Sequence, residues 1–163
     1  MPLEPPDDQH LEAAHGYIEL GMFREANEEL EGIDAFCRSL PEVLHARLRI
    51  YHGLKKWEAM AAIANKLVEW NPSEPEYFVC LAYATRRLDS LEAARVILLR
   101  GEEIHPQEGT IQFNLACYES QLGNIEIAKE HLSRATLADA EFKLMALDDE
   151  DLKPLWDSLS DTS

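Results

Sequence analysis

PEVLHARLRIYHGLKKWEAMAAIANKLVEWNP, residues 41–72, is followed two residues later by PEYFVCLAYATRRLDSLEAARVILLRGEEIHP, residues 75–106. Both stretches open and close on proline, and the numbering steps by 34 from Pro41 to Pro75 and from Pro72 to Pro106. Within each, apolar residues recur mostly every three or four positions: Leu44, Leu48, Tyr51 and Leu54 in one, Phe78, Leu81, Ala82 and Leu88 in the other, with Thr85 on the same side. That spacing places them on one side of a helix. A second stripe follows after a turn of about three residues, short enough to set the two helices antiparallel. It begins at Trp57 or Leu91 and runs through Met60, Ala64 and Leu67, or Ala94 and Leu98.

The step extends in both directions. Ala14, Leu48, Ala82 and Ala116 share it, as do Ala26, Met60, Ala94 and Ala128, and Leu30, Ala64, Leu98 and Leu132. A constant period over most of a chain indicates stacked copies of one helical pair. No stretch alternates with period two for long enough to suggest a sheet. Eight short helices with one apolar face each are not stable singly and must bury those faces against neighbours. Alanines allow close backbone approach, and Tyr17, Tyr51, Phe23 and Trp57 fill the wider gaps.

Composition narrows the function. Of 163 residues, 46% are hydrophobic, enough for a core, and 31 acids against 15 lysines and arginines leave a net charge of −16. Such a surface repels phosphate backbones and anionic lipid, so neither nucleic acid nor membrane is an expected partner. No apolar run reaches the roughly 18–20 residues of a membrane helix. The opening MPLEPPDDQH has neither the basic flank nor the apolar stretch of a signal peptide. Three dispersed cysteines, Cys37, Cys80 and Cys117, argue for free thiols in a reducing, cytoplasmic setting.

These residues and offsets resemble the tetratricopeptide repeat (TPR). Pro41–Pro72, Pro75–Pro106 and Thr110–Thr136 are the best copies, and Asp8–Leu40 is weaker because Arg38 stands where Pro72 and Pro106 close their repeats. Met60 replaces a small residue, Lys55 and Asp89 replace the glycine seen at Gly21 and Gly123, and Thr85 and Glu119 replace the tyrosine seen at Tyr17 and Tyr51. The resemblance implies an all-α, right-handed superhelical solenoid of about four repeats. The expected organisation is a disordered lead over 1–7, repeats over 8–40, 41–74, 75–108 and 109–138, and a tail over 139–163. Thr110 is the expected N-cap of the seventh helix. The tail is similar to the capping end of bacterial TPR proteins, with Leu152, Leu155 and Trp156 as inserting anchors and Asp148–Asp151 as an acidic run.

No Gly-rich phosphate loop, CxxC or HExxH is present. His45 and His52 are two helical turns, about 10.5 Å, apart, too far to share an ion unaided. Cys80 and Cys117 lie on first helices of adjacent repeats, where a Cys–His nucleophile pair would need an orienting third residue that is not evident. No catalytic residue, metal or cofactor is expected. In the resembling family the first helix of each repeat lines a concave groove. Carried over, that gives His45, Arg49 and His52, then Val79, Tyr83, Arg86 and Arg87, then Phe113, Asn114 and Cys117, with Cys80, Leu11 and His15 beside them. The basic strip suits a carboxylate or an acidic segment, unless Glu42 and Glu76 neutralise it internally. Phe113, Tyr83 and Val79 would be the apolar anchors. The Lys/Asn carboxylate clamp of some family members is missing, since only Asn114 is in place.

The expected function is therefore non-enzymatic protein–protein interaction, as an adaptor, scaffold or co-chaperone-like module holding a peptide or helix. Alternatives are a secretion-type chaperone for an exported client and a homo-oligomeric assembly protein. The chain itself is expected to be a monomer or weak homodimer. A further possibility is that the acidic tail folds into the basic groove instead of capping the last repeat.

Overall fold

The computed structural model describes residues 2–160. All regular structure among them is helical: α1 (Asp7–Glu19), α2 (Phe23–Glu31), α3 (Pro41–Gly53), α4 (Trp57–Trp70), α5 (Pro75–Leu88), α6 (Leu91–Ile104), α7 (Gly109–Gln121), α8 (Ile125–Ala138), α9 (Glu141–Asp148), a 3-10 turn (Glu150–Leu155) and α10 (Trp156–Ser160). The first eight are the expected helices in adjacent pairs. The chain divides into two compact units, Met1–Leu67 and Val68–Ser163.

The 34-residue step sorts burial as the repeat argument requires. Ala14, Ala82 and Ala116 are fully buried, and so are Ala26, Ala94 and Ala128; Leu48 and Met60 reach the same depth with larger side chains. Proline at the first helical position starts α3 and α5, where its missing N–H costs no helical hydrogen bond. Ser90 caps α6 by accepting a hydrogen bond from Ala93 N at 3.1 Å. The cap of α7 is Glu108, whose carboxylate accepts from Thr110 N, so Thr110 lies inside the first turn and is not the N-cap.

The intra-pair turns repeat at Gly21, Lys55, Asp89 and Gly123. Gly21 and Gly123 have φ of 72° and 86°, in the left-handed region. Lys55 takes the same region at φ 58°, where its Cβ crowds the backbone. Asp89 closes its turn differently, with φ −129° and ψ −92°.

In the first unit, Ile18, Leu30, Ile33, Val43 and Ile50 form the core shared by α1, α2 and α3. Leu3 packs against this core. Arg47, nearly buried, ties α3 to α2 through Asn27 Oδ1 at 2.8 Å and Glu31 Oε1 at 2.6 Å. That guanidinium holds the Glu31 carboxyl below the usual carboxylate range.

In the second unit, α7 is buried along most of its length, against α5 and α6 on one side and α8 on the other. The 3-10 turn also packs on α7, α8 and α9. It buries Leu152 and Leu155 completely, in one cluster with Leu115, Leu132 and Ala146. Trp156 donates its Nε1–H to Ala146 O at 2.8 Å. Between α7 and α8, His131 Nδ1 meets Gln112 Oε1 at 2.7 Å, and Gln112 Nε2 donates to Glu102 Oε2 at 2.7 Å. Burial holds the His131 pKa below its ordinary value despite the nearby Glu102 carboxylate.

Candidate functional site

The candidate site residues sit on the first helix of each pair, and the two units use them differently. In the first unit, α1 and α3 pack together. Arg49 on α3 reaches Glu19 on α1 at 3.0 Å, with both groups largely in solvent. His15 senses the same cluster. Burial lowers its pKa first, the charges of Arg49 and His45 lower it further, and Glu19 opposes them. His15, His45, Arg49 and Glu19 are thus close enough to act on one another. His52 lies one turn further on and meets the edge of the Trp57 ring at 5.8 Å between centroids.

In the second unit the corresponding face is occupied by the chain's own C-terminal segment. Arg86 on α5 grips Asp151 with both terminal nitrogens, at 2.6 and 3.1 Å. Such a two-pronged guanidinium–carboxylate contact is shorter and stronger than a single neutral hydrogen bond. The guanidinium also lies over the Tyr118 ring, 5.4 Å from its centroid. Gln121 Nε2 donates to the main-chain carbonyl of Asp151 at 2.9 Å. An Asp149 side-chain oxygen accepts from Asp151 N at 2.9 Å and so fixes the turn that presents Asp151. The acids that reach Arg49 and Arg86 are thus Glu19 and Asp151; Glu42 and Glu76 were the alternative source of internal neutralisation.

The remaining residues of the expected groove part company here. Phe113 is buried and stacks on Phe142 of α9, with centroids 5.3 Å apart, so it is not an open anchor for a ligand. Cys117 is also buried, its thiol 3.8 Å from Asp149 Oδ2. Asn114 turns its amide back onto its own helix, donating to Thr110 O at 2.8 Å. Val79 is half-buried against the core, Tyr83 is half-buried, and Arg87 is exposed. The acidic run was expected either to cap or to enter the groove. Asp151 enters the α5–α7 face while Leu152 and Leu155, in the same short turn, fill the core beneath it.

Nucleophile and metal chemistry find poor conditions here. Burial pushes the Cys80 thiol up to about 12, with Glu76 adding to the shift. Burial and the Asp149 and Asp151 carboxylates likewise push Cys117 far up. Both thiols hold their protons at neutral pH, and the thiolate is the nucleophile and the metal ligand. Cys117, Asp149 and Asp151 do bring ligand-type atoms within 4.8 Å of one another. The Arg86 fork already neutralises Asp151, and a cation there would face a guanidinium. Tyr118, missed in the sequence reading, supports Arg86 from below. It lies on α7 and the arginine on α5, and no spacing along the chain singles the tyrosine out.

No protein-family model matches the sequence, and no curated protein matches it. Solved structures do. TTC0263, a thermophilic TPR protein in Thermus thermophilus, superimposes with a TM-score of 0.76 at 19% identity, covering 94% of this chain and 82% of that one. MamA AMB-1 gives 0.64 at 22% identity over 82% of this chain and 73% of that one. A double mutant of MamA RS-1 gives 0.71 at 13% identity over 98% and 93%. At these identities the likeness is one of fold: the chain has an all-α, TPR-like architecture. Among the described residues, no helix is long and apolar enough to cross a membrane.

Proposed function

We propose that this chain is a non-enzymatic protein-binding module, an adaptor or scaffold, that holds a carboxylate-bearing peptide segment on the first-helix face of its first unit. The observation that carries this reading is the Arg86–Asp151 fork with Gln121 on the neighbouring carbonyl. A first-helix face of this chain holds an acidic segment by one side-chain fork and one main-chain contact, the elements from which peptide recognition is built. The α1–α3 face offers the same chemistry through Arg49, His15 and His45. The internal partner of Arg49 is the solvent-exposed Glu19, and exposed pairs of this kind contribute only about 0–1 kcal/mol. An incoming carboxylate can replace Glu19 at little cost, whereas Asp151 is anchored by the leucines that follow it. The three cysteines are free thiols, which supports a reducing compartment such as the cytoplasm.

The test is an unbiased pull-down with wild-type chain and Arg49→Glu, followed by titration of the captured segment. Arg49→Glu should weaken binding by about tenfold or more, the effect of reversing a charge at a contact. Equal capture by both proteins overturns the reading.

A further inference from the structure

The short helix α9 has two sides of different character. Ala146 is buried in the core of the second unit and Phe142 packs against that core. Lys143 turns toward α8 and α10, where it lines a cleft with Lys129 and Leu159. Glu141, Leu144, Met145 and Asp148 follow at i, i+3, i+4 and i+7, the spacing that aligns side chains along one side of a helix. All four are exposed, Leu144 at 69% and Met145 at 49%. Over two turns this stripe reads acid, apolar, apolar, acid.

Beside the stripe, Met145 and Asp148 share a pocket of about 290 Å³ with Phe113 of α7 and with Asp149. Phe113 is fixed by its stacking on Phe142, and Asp149 by accepting from Asp151 N at 2.9 Å. Two of the pocket's walls are therefore set before anything binds, which lowers the entropy lost on docking. The pocket also draws positive charge. A helix C-terminus carries partial negative charge and favours bases, yet the last turn of α9 holds Asp148 and runs into Asp149 and Glu150. These carboxylates add to the helix dipole where a base would oppose it. The volume lies at the bottom of the range for small-molecule sites, about 300 to about 1,000 Å³, and suits one side chain. A lysine matches it: the four-carbon stem lies on Phe113 and Met145, and the ammonium reaches Asp148 and Asp149.

We infer that the outward side of α9 docks a basic amphipathic helix of a partner protein, whose apolar residues cover Leu144 and Met145 and whose lysine enters the pocket at Phe113. A second cation two turns away on the partner, about 10.5 Å, meets Glu141. The partner's signature is thus a pair of basic residues at i and i+7 flanking apolar ones. This surface takes the opposite charge from the α1–α3 face and lies in the other unit, so it stands or falls separately from the carboxylate reading. Its few apolar side chains and two charge contacts make a weak, salt-dependent site.

The probe is a synthetic amphipathic helix of leucine and lysine alone, with two lysines at i and i+7 bordering its apolar side. It is titrated into the full chain carrying isotopically labelled methionine methyl groups, the Met145 resonance being assigned with Met145→Leu. That resonance should shift saturably, while Met60, buried in the first unit, should not move. Leu144→Ser, and Glu141→Gln combined with Asp148→Asn, should each weaken binding by about tenfold while the helical circular dichroism stays unchanged. An acidic chain attracts any polycation, so the control is Glu25→Gln combined with Glu28→Gln, which removes two charges from exposed positions of α2. This control should keep the affinity within about twofold. Equal losses in the two charge variants overturn the inference, because the attraction is then general. So does a Met145 methyl that stays still while the probe binds, or no binding at about 1 mM probe in low salt.

Discussion

On α3, Arg49 holds Glu19 by one 3.0 Å contact in which the two side chains are 40% and 71% exposed. On α5, Arg86 holds Asp151 by two contacts in which the side chains are 25% and 24% exposed, with an aromatic ring beneath. The same residue type, on the first helix of a repeated unit, makes an exposed single contact in one unit and a half-buried two-pronged contact in the other. Burial and the length of the partner's chain make the difference. Glu19 is a lone surface acid, while Asp151 is carried by a turn whose next residues are core.

The comparison is broken most severely at the core beneath the fork. Leu152→Ala should cost about 2–5 kcal/mol, since a fully buried leucine leaves a cavity, and chemical denaturation of the second unit would read it. A loss under about 1 kcal/mol would mean the turn is loosely held and Asp151 is displaceable. Next comes the fork itself. Arg86→Ala should destabilise by about 1–3 kcal/mol by leaving Asp151 without its partner, whereas Arg49→Ala should stay within about 0.5 kcal/mol. Equal effects would erase the distinction between the two faces.

Acid should act on both units through histidines. His131 and His15 have pKa values below the ordinary 6.5, set first by burial. Well above pH 6.5 both are neutral whether folded or not, and stability is unaffected. As pH falls below 6.5 the unfolded chain takes up protons first, so stability declines until the lower folded values are reached. Urea midpoints between about pH 7.5 and about pH 5 should fall, and His131→Gln should flatten the slope. Binding sharpens the contrast: a carboxylate held near His15 raises its pKa, so ligand should bind with proton uptake and more tightly as pH falls. Calorimetry in buffers of different ionisation enthalpy would show it, and no uptake would place the ligand elsewhere. The smallest effect is a gain. Lys55→Gly should stabilise by about 0.5–1 kcal/mol by relieving a left-handed lysine where two sister turns have glycine.

The helical pairs were legible in the sequence because their information is local and repeated four times. A position that is alanine in α1, α5 and α7 and leucine in α3 reads as buried by its step alone. Cap chemistry was less legible: Thr110 and Glu108 both suit a helix start, and only backbone geometry separates them. The occupied face was hardest. Arg86 and Asp151 are 65 residues apart, and Phe113 and Phe142 belong to different periodic regimes, so no spacing joins them. What could be read was a mismatch: an acidic run beside three apolar residues, downstream of an arginine pair. The Asp149–Asp151 spacing, which makes the presenting turn, is the one signal that was available and not used.

The 3-10 turn also bears on how such a chain can change length. Leu152 and Leu155 cover the surface of α7 and α8 on which another helical pair would have to stack. Duplication of a repeat after Ala138 would expose that surface or strand the turn away from Arg86. Duplication of the α5–α6 pair leaves both intact, because one copy still adjoins α7. Insertions that lengthen this array should therefore cost less stability upstream of α7 than after Ala138.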